Sequence, residues 1–324
     1  MGTICLDGLL IQGPIHFKSI SELCFTVKGN DHGNLIIRGF LNEESGDTEI
    51  YKDLEGQPLG VYSVLDGGSP IFVGRIKQMF VHQTNRQYVA EAHVVTFSSE
   101  LDKKRKSRSF QNPDMTYADL IRSVLQDTPN AAAVCSVGED TPIGRPIFQY
   151  KETDWEFIKR MASELNTKIF PVREVPSAQI YIGLEERTTG CDFSNSEYIQ
   201  KVDRQFYRLG GVQAGLYKAD FLCYRVKDTR NLSIGSTVLW RGAPIYICEV
   251  SANLIDGELI FTYLLGQKGM AAEKPYKNKK MIGLSLNGTV KSTSQEQVQI
   301  LLDIDIMGKT RGVTPFRGGL KVVI

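Results

Sequence analysis

The chain has 324 residues, with 42% apolar residues, 23% charged residues and a net charge of +1. That length allows two or three domains and more than one core, and the near-neutral balance excludes a broad basic footprint for nucleic acid or an anionic membrane. No run approaches the roughly 18 apolar residues of a membrane span, and the opening MGTICLDGLLIQG lacks the basic start and long apolar stretch of a secretory signal. Asp7 stands where a myristoylation signal on Gly2 expects serine or threonine. The six cysteines form no CxxC pair, so free thiols in a reducing cytoplasm are expected.

From Ile11 to about Phe97 the chain alternates apolar and polar residues. ELCFTVKG, NLIIRGFL, IFVGRIKQMFV and QYVAEAHVVTF each predict a strand of period two. LDGGSP at 65–70 carries an Asp-Gly hairpin signal. A meander of this kind must hide its edges, which predicts a small β-barrel over 1–102. Lys103, Lys104, Arg105, Lys106 and Arg108 then form a compact basic run, KKRKSR. It reads as a solvated turn between domains, or as a loop that docks a partner; no aromatic residues interleave it, so nucleic acid is the weakest reading.

The period changes over 103–190. MTYADLIRSVLQD puts Tyr117, Leu120, Ile121, Val124 and Leu125 on one helical face, with Thr116 and Asp119 as a capping signature. In QYKETDWEFIKRMASELN, Thr153 and Glu156 form a capping box, and Trp155, Ile158, Met161, Ala162 and Leu165 make an apolar stripe. Asp154 and Glu156 sit in the first turn, where the helix dipole favours negative charge by ~0.3–1 kcal/mol each. Glu152, at the strand-to-helix junction, is assigned to backbone N–H groups or to an arginine such as Arg160. TKIFPVRE and AQIYIGLEE predict two strands that pair behind the helix. Strand patterns return over 191–270, with turns at 231–235 and 255–257, and predict a second β-barrel module. Residues 268–280 read as a lysine-rich linker. The remainder, within 271–324, reads as two strands around a polar turn, too short for the roughly five strands of an OB-type barrel. The predicted class is therefore mainly β (α+β), with two barrel modules flanking a helix-containing insert and the start of an OB-type neck.

Chemistry is sparse. His16, His32, His82 and His93 lie at no metal-ligand spacing, and neither a nucleophile elbow nor a phosphate loop is present, so no catalytic, cofactor or metal residues are expected. Asp303 and Asp305 would share one face of a strand, a geometry weighed for glycan hydrolysis together with Glu152. A carbohydrate-binding module is the weakest alternative, because Trp155 and Trp240 fall in core-like runs.

The stretch FQYKETDWEFIKRMASELNTKIF resembles the signature of the VgrG and phage late control gene D family. The matching positions are Gln149, Tyr150, Glu152, Asp154, Trp155, Phe157, Ile158 and Arg160. YADLIRSVL resembles the family's preceding segment, LSIGSTVLWRGAPIYICEVSANLIDGELIFTYLL its second barrel, and LNGTVKSTSQEQVQILLDID the start of its neck. The resemblance implies a non-enzymatic tail hub of a contractile injection machine: a phage tail, R-type bacteriocin, type VI-like system or extracellular particle. It implies a homotrimer in the baseplate that adapts a sixfold tube to a threefold spike. The implied partners are the tube or tube-initiator protein, the spike or tip protein and other baseplate proteins. It further implies synthesis in the bacterial cytoplasm before assembly into the particle. The short C-terminal part leads us to expect piercing by a separate spike protein.

Overall fold

The computed structural model of the chain describes residues 3–42, 53–65, 67–85, 87–185, 187–294 and 297–307. The first module holds β1 (Leu9–Gln12), β2 (Phe17–Lys28), β3 (Asn34–Leu41), β4 (Pro58–Ser63), β5 (Ser69–Thr84) and β6 (Gln87–Thr96). Alternation decides the faces: Leu35, Ile37 and Leu41 of β3 are buried, while Ile36 and Arg38 look outward. The hairpin predicted near 65–70 is formed by β4 and β5, with Gly68 N donating to Ser63 O at 2.9 Å; Asp66 of its signal lies outside the described residues.

The insert comprises β7 (Lys106–Phe110), α1 (Tyr117–Leu125), β8 (Ala132–Cys135), β9 (Ile147–Glu152), α2 (Asp154–Glu164), β10 (Ile169–Pro171) and β11 (Gln179–Ile182). Both predicted helices are present, and all five residues assigned to the inner face of α1 are buried. The two strands predicted behind the helix pair antiparallel as β10 and β11, and β8 adds to the other edge of β11 in parallel. The basic run is not simply a turn: its second half is strand β7, paired with β9.

The second module holds β12 (Thr188–Asp192), β13 (Tyr198–Val202), the short helix α3 (Arg204–Arg208), β14 (Leu222–Asp228), β15 (Thr237–Trp240), β16 (Ala243–Ile255) and β17 (Glu258–Gly266). The predicted turn between β16 and β17 places Asp256 at φ 50° and Gly257 at φ 82°, the two left-handed positions of a tight hairpin.

The barrel expectation needs correction. Among the described residues no barrel closes; instead twelve strands share one sheet, in which β2 pairs with β16 across the two modules and Val27 faces Val250. The long strands β2 and β16 hide their edges on each other, which removes the need to close each module separately. One core therefore runs through both modules, from Leu35 and Phe72 to Ile247 and Phe261, and a second core lies in the insert around Ile121, Phe157 and Ile180. Trp155 belongs to the second core and Trp240 to the first.

Beyond Gly266 the supposed linker is an ordered strap. Lys168 Nζ donates to Met270 O at 2.7 Å, Tyr276 N to Ser163 Oγ at 2.8 Å, and Asn278 Nδ2 to Tyr150 O at 2.8 Å. Lysines suggested solvent, but backbone groups, Asn278 and the buried Glu273 fasten the strap to β9, α2 and the second module. Strands β18 (Gly288–Ser294) and β19 (Gln297–Leu302) form the predicted hairpin, followed by α4 (Asp303–Met307).

Candidate functional site

The junction between β9 and α2 concentrates the charged residues that the sequence singles out. Helix α2 starts as its capping box dictates: Glu156 N donates to Thr153 Oγ1 at 3.1 Å, and Thr153 N donates to Glu156 Oε2 at 3.0 Å. Just before it, Lys151 adopts φ 50°, a left-handed conformation that turns its carbonyl outward to receive Arg105 Nη1 at 2.9 Å and Lys280 Nζ at 2.8 Å.

Glu152 is 6% exposed and meets Arg160, the arginine named for it, through Nε and Nη2, both at 2.9 Å. Arg160 also donates to Phe148 O at 2.6 Å and lies over the Phe157 ring at 5.1 Å. This buried fork leaves little of the ion pair's hydrogen-bonding capacity unused. Asp154, 2% exposed, accepts from Arg108 Nη2 at 2.7 Å, Lys106 Nζ at 2.5 Å and Gln149 Nε2 at 3.0 Å. Lys106 and Arg108 alternate on β7 and so share one face, where both also hold Asp127. Burial opposes ionisation of Asp127, but these two cations outweigh it and keep its carboxyl below the usual range. Burial likewise opposes ionisation of Glu156, yet the Arg105 fork and the Thr153 N–H hold it low.

The remaining signature positions complete the packing. Trp155 packs tilted against His32 with ring centroids 4.1 Å apart, Phe157 stacks on Phe110 at 5.5 Å, Ile158 is fully buried, and Tyr150 receives the strap through its carbonyl. Of the basic run, Arg105, Lys106 and Arg108 hold carboxylates of this junction, Lys103 meets Glu100 at 2.6 Å, and Lys104 is exposed.

Asp303 and Asp305 do not share a strand face as expected, because α4 begins at Asp303. Asp305 instead accepts from Ser109 N and Ser109 Oγ, both at 2.6 Å, and clips the C-terminal hairpin to the free edge of β7. The carboxylates weighed for hydrolysis thus do not form a pair across a cleft. Among the described residues there is no group of three metal-ligating side chains, and no helix is long and apolar enough to cross a membrane.

Two sites escaped the sequence reading. His32 Nδ1 lies 2.8 Å from Ser98 Oγ and its Nε2 lies 3.6 Å from Asp102; burial lowers its pKa, against the opposing pull of Asp102. Ser98 is fully buried and also bonded to Thr96, so the Ser–His–Asp grouping is a packed joint closed to substrate. Arg173 is fully buried and fastens the insert to both β modules: it donates to Ile71 O in the first, and to Asn231 Oδ1 at 2.8 Å and Leu232 O at 2.9 Å in the second. In PVREVP nothing marks this arginine as internal; its carbonyl partners come from chain segments remote in sequence.

No protein-family model matches the chain, and no curated protein matches it in sequence. Solved structures do. The E. coli c3393 protein, a component of the type VI secretion system with structural similarity to T4 bacteriophage tail proteins gp27 and gp5, aligns with a TM-score of 0.63. The alignment covers 90% of this chain and 88% of that protein, at 14% identity. The chain has a tail-protein fold. The 43 kDa tail protein of prophage MuSo2 from Shewanella oneidensis shares the tail-protein fold at a TM-score of 0.60 and 8% identity, over 83% of this chain and 99% of that one. A tail protein from Neisseria meningitidis MC58 gives 0.58 and 10% identity, over 83% of this chain and 100% of its own. The fold observed is thus that of tail proteins, in line with the sequence resemblance.

Proposed function

We propose that the protein is a structural hub of a contractile injection machine, a homotrimer that joins a sixfold tube to a threefold spike within a baseplate. The observation that carries this reading is the tail-protein fold spanning both β modules, which sit side by side on one sheet. Two modules per subunit give six in a trimer, the number that a sixfold tube requires, and a heterologous cyclic interface can close at three copies. In this reading the units 1–102, 103–190, 191–270 and 271–324 act as first ring module, insert, second ring module and neck or docking extension. The signature residues from Gln149 to Arg160 are structural, and the exposed part of the 103–108 run is available to a neighbour.

The reading includes synthesis in the bacterial cytoplasm and assembly with tube, spike and other baseplate proteins. Its test is the native mass by light scattering at several concentrations, followed by co-sedimentation with tube and spike proteins. A trimer that binds them is expected. A stable monomer that binds neither overturns the reading. Glycan hydrolysis finds no favouring geometry, since Arg160 engages Glu152 and Ser109 engages Asp305.

A further inference from the structure

The main path of the twelve-stranded sheet runs from β1 to β13, with β15 and β12 branching from β16, and among the described residues β1 and β13 each pair on one side only. Their chemistry is opposite. At the β1 end, Leu6 N donates to Gly257 O at 2.8 Å and Cys5 bridges Glu258, which brings the chain start beside the β16–β17 turn. The exposed carboxylates Asp7, Asp256 and Glu258 gather there. Val64 N donates to Gly8 O at 2.9 Å and adds the exposed Leu65 to Leu10 and Ile255. The segments that build this end, 3–12, 59–65 and 253–260, contain no lysine or arginine.

At the β13 end the balance reverses. Ile199, 67% exposed, pairs with the exposed Arg225, and Lys201 lies two residues farther along the same face. Arg241 is exposed at the same end on the opposite face, over the Tyr198 ring at 5.2 Å. Segments 197–201 and 223–227 with residue 241 carry four cations, Lys201, Arg225, Lys227 and Arg241, against one carboxylate, Glu197.

We propose that the acidic β1 end of one copy docks on the basic β13 end of the next, a head-to-tail contact made by the two ends of the sheet's main path. Both ends offer an unpaired strand edge and exposed aliphatic side chains, and their charges are opposite. Different patches meet at such a contact, so it is heterologous and generates a ring when the rotation closes. This inference rests on the homotrimer reading and names the surfaces that would build it.

The test is charge reversal at one end, at the other, and at both, with assembly followed by light scattering across a dilution series. Asp7→Lys with Glu258→Lys makes the first end basic; Lys201→Glu with Arg225→Glu makes the second acidic. Either pair alone is expected to raise the half-assembly concentration by at least about tenfold, and all four together to restore it to within about threefold of wild type. All four positions are exposed, and unchanged far-UV circular dichroism checks each fold. Leu10→Gln and Ile199→Gln serve as milder variants with the same expected direction. A trimer untouched by either reversal overturns the assignment of these edges and leaves the homotrimer reading standing. A four-residue variant that stays dissociated also overturns the assignment. A wild-type chain that is monomeric at every concentration overturns both.

Discussion

Glu152 and Arg160 are the residues where removal and replacement differ most in cost. Truncating one partner of a buried pair strands the other charge, at a cost of about 3–5 kcal/mol, whereas replacing both by apolar groups of similar size is often near neutral. Glu152→Ala is therefore expected to lower the urea midpoint sharply, while Glu152→Met combined with Arg160→Met recovers most of the loss. A double variant as unstable as the single one would show that the pair contributes more than mutual neutralisation. His32 gives the chain a pH dependence of its own. Burial lowers its pKa from the ordinary 6.5, so the unfolded chain takes up a proton first as the pH falls. Its contribution is complete above that value and declines below it, opposed in part by Asp102 and Asp31 and reinforced by Lys159. Unfolding free energy measured from pH 7 to about 5 should fall less steeply in His32→Gln than in wild type; identical slopes would remove His32 from the account. Residue-scale meaning was only partly legible. The capping box and the Glu152–Arg160 pair follow from local spacing, whereas Asp127, Arg173 and His32 acquire their partners from distant segments.

Elements obeyed their periodicity where one face is buried and the other wet. The β3 and β6 patterns and both main helices are of this kind, and the helix faces emerge from spacing alone. Elements β1, β4 and β8 were not anticipated, because runs of four to six residues are too short for alternation to stand out. The basic run misled for a different reason: Lys106 and Arg108 are cations in a strand whose acidic partners come from α1's C-terminal side and the start of α2. The strap at 268–280 was misread on composition, since backbone groups, Asn278, Glu273 and the Lys280 ammonium all fasten it to the rest of the chain. The C-terminal hairpin offers the test at this scale. An isolated two-stranded hairpin is marginal in water, and Asp305 supplies two charge-assisted bonds to β7. Asp305→Ala is expected to speed proteolysis within 281–287 several-fold and to leave the remainder intact; cleavage at the wild-type rate would show that the clip does not hold the hairpin.

At the scale of the whole molecule, the single core makes the two β modules one cooperative unit. Leu35→Ala, deep in the first module, should cost about 2–5 kcal/mol. Trp240 reports on the second module, and in a Trp155→Phe background it is the chain's remaining tryptophan. Its fluorescence midpoint should shift with Leu35→Ala by as much as the circular dichroism does; an unmoved Trp240 transition would mean that the modules unfold separately. The joint through which this coupling passes, Val27 against Val250, also fixes when folding can finish. During synthesis β2 leaves the ribosome early and its seam partner β16 more than two hundred residues later. At translation rates of about 5–20 residues per second, that edge waits on the order of ten seconds or more without its native neighbour. Through that interval the nascent chain presents one unpaired edge of β2 to other chains on the same message. Its yield is thus set by crowding among polysomes as well as by the stability of the finished fold.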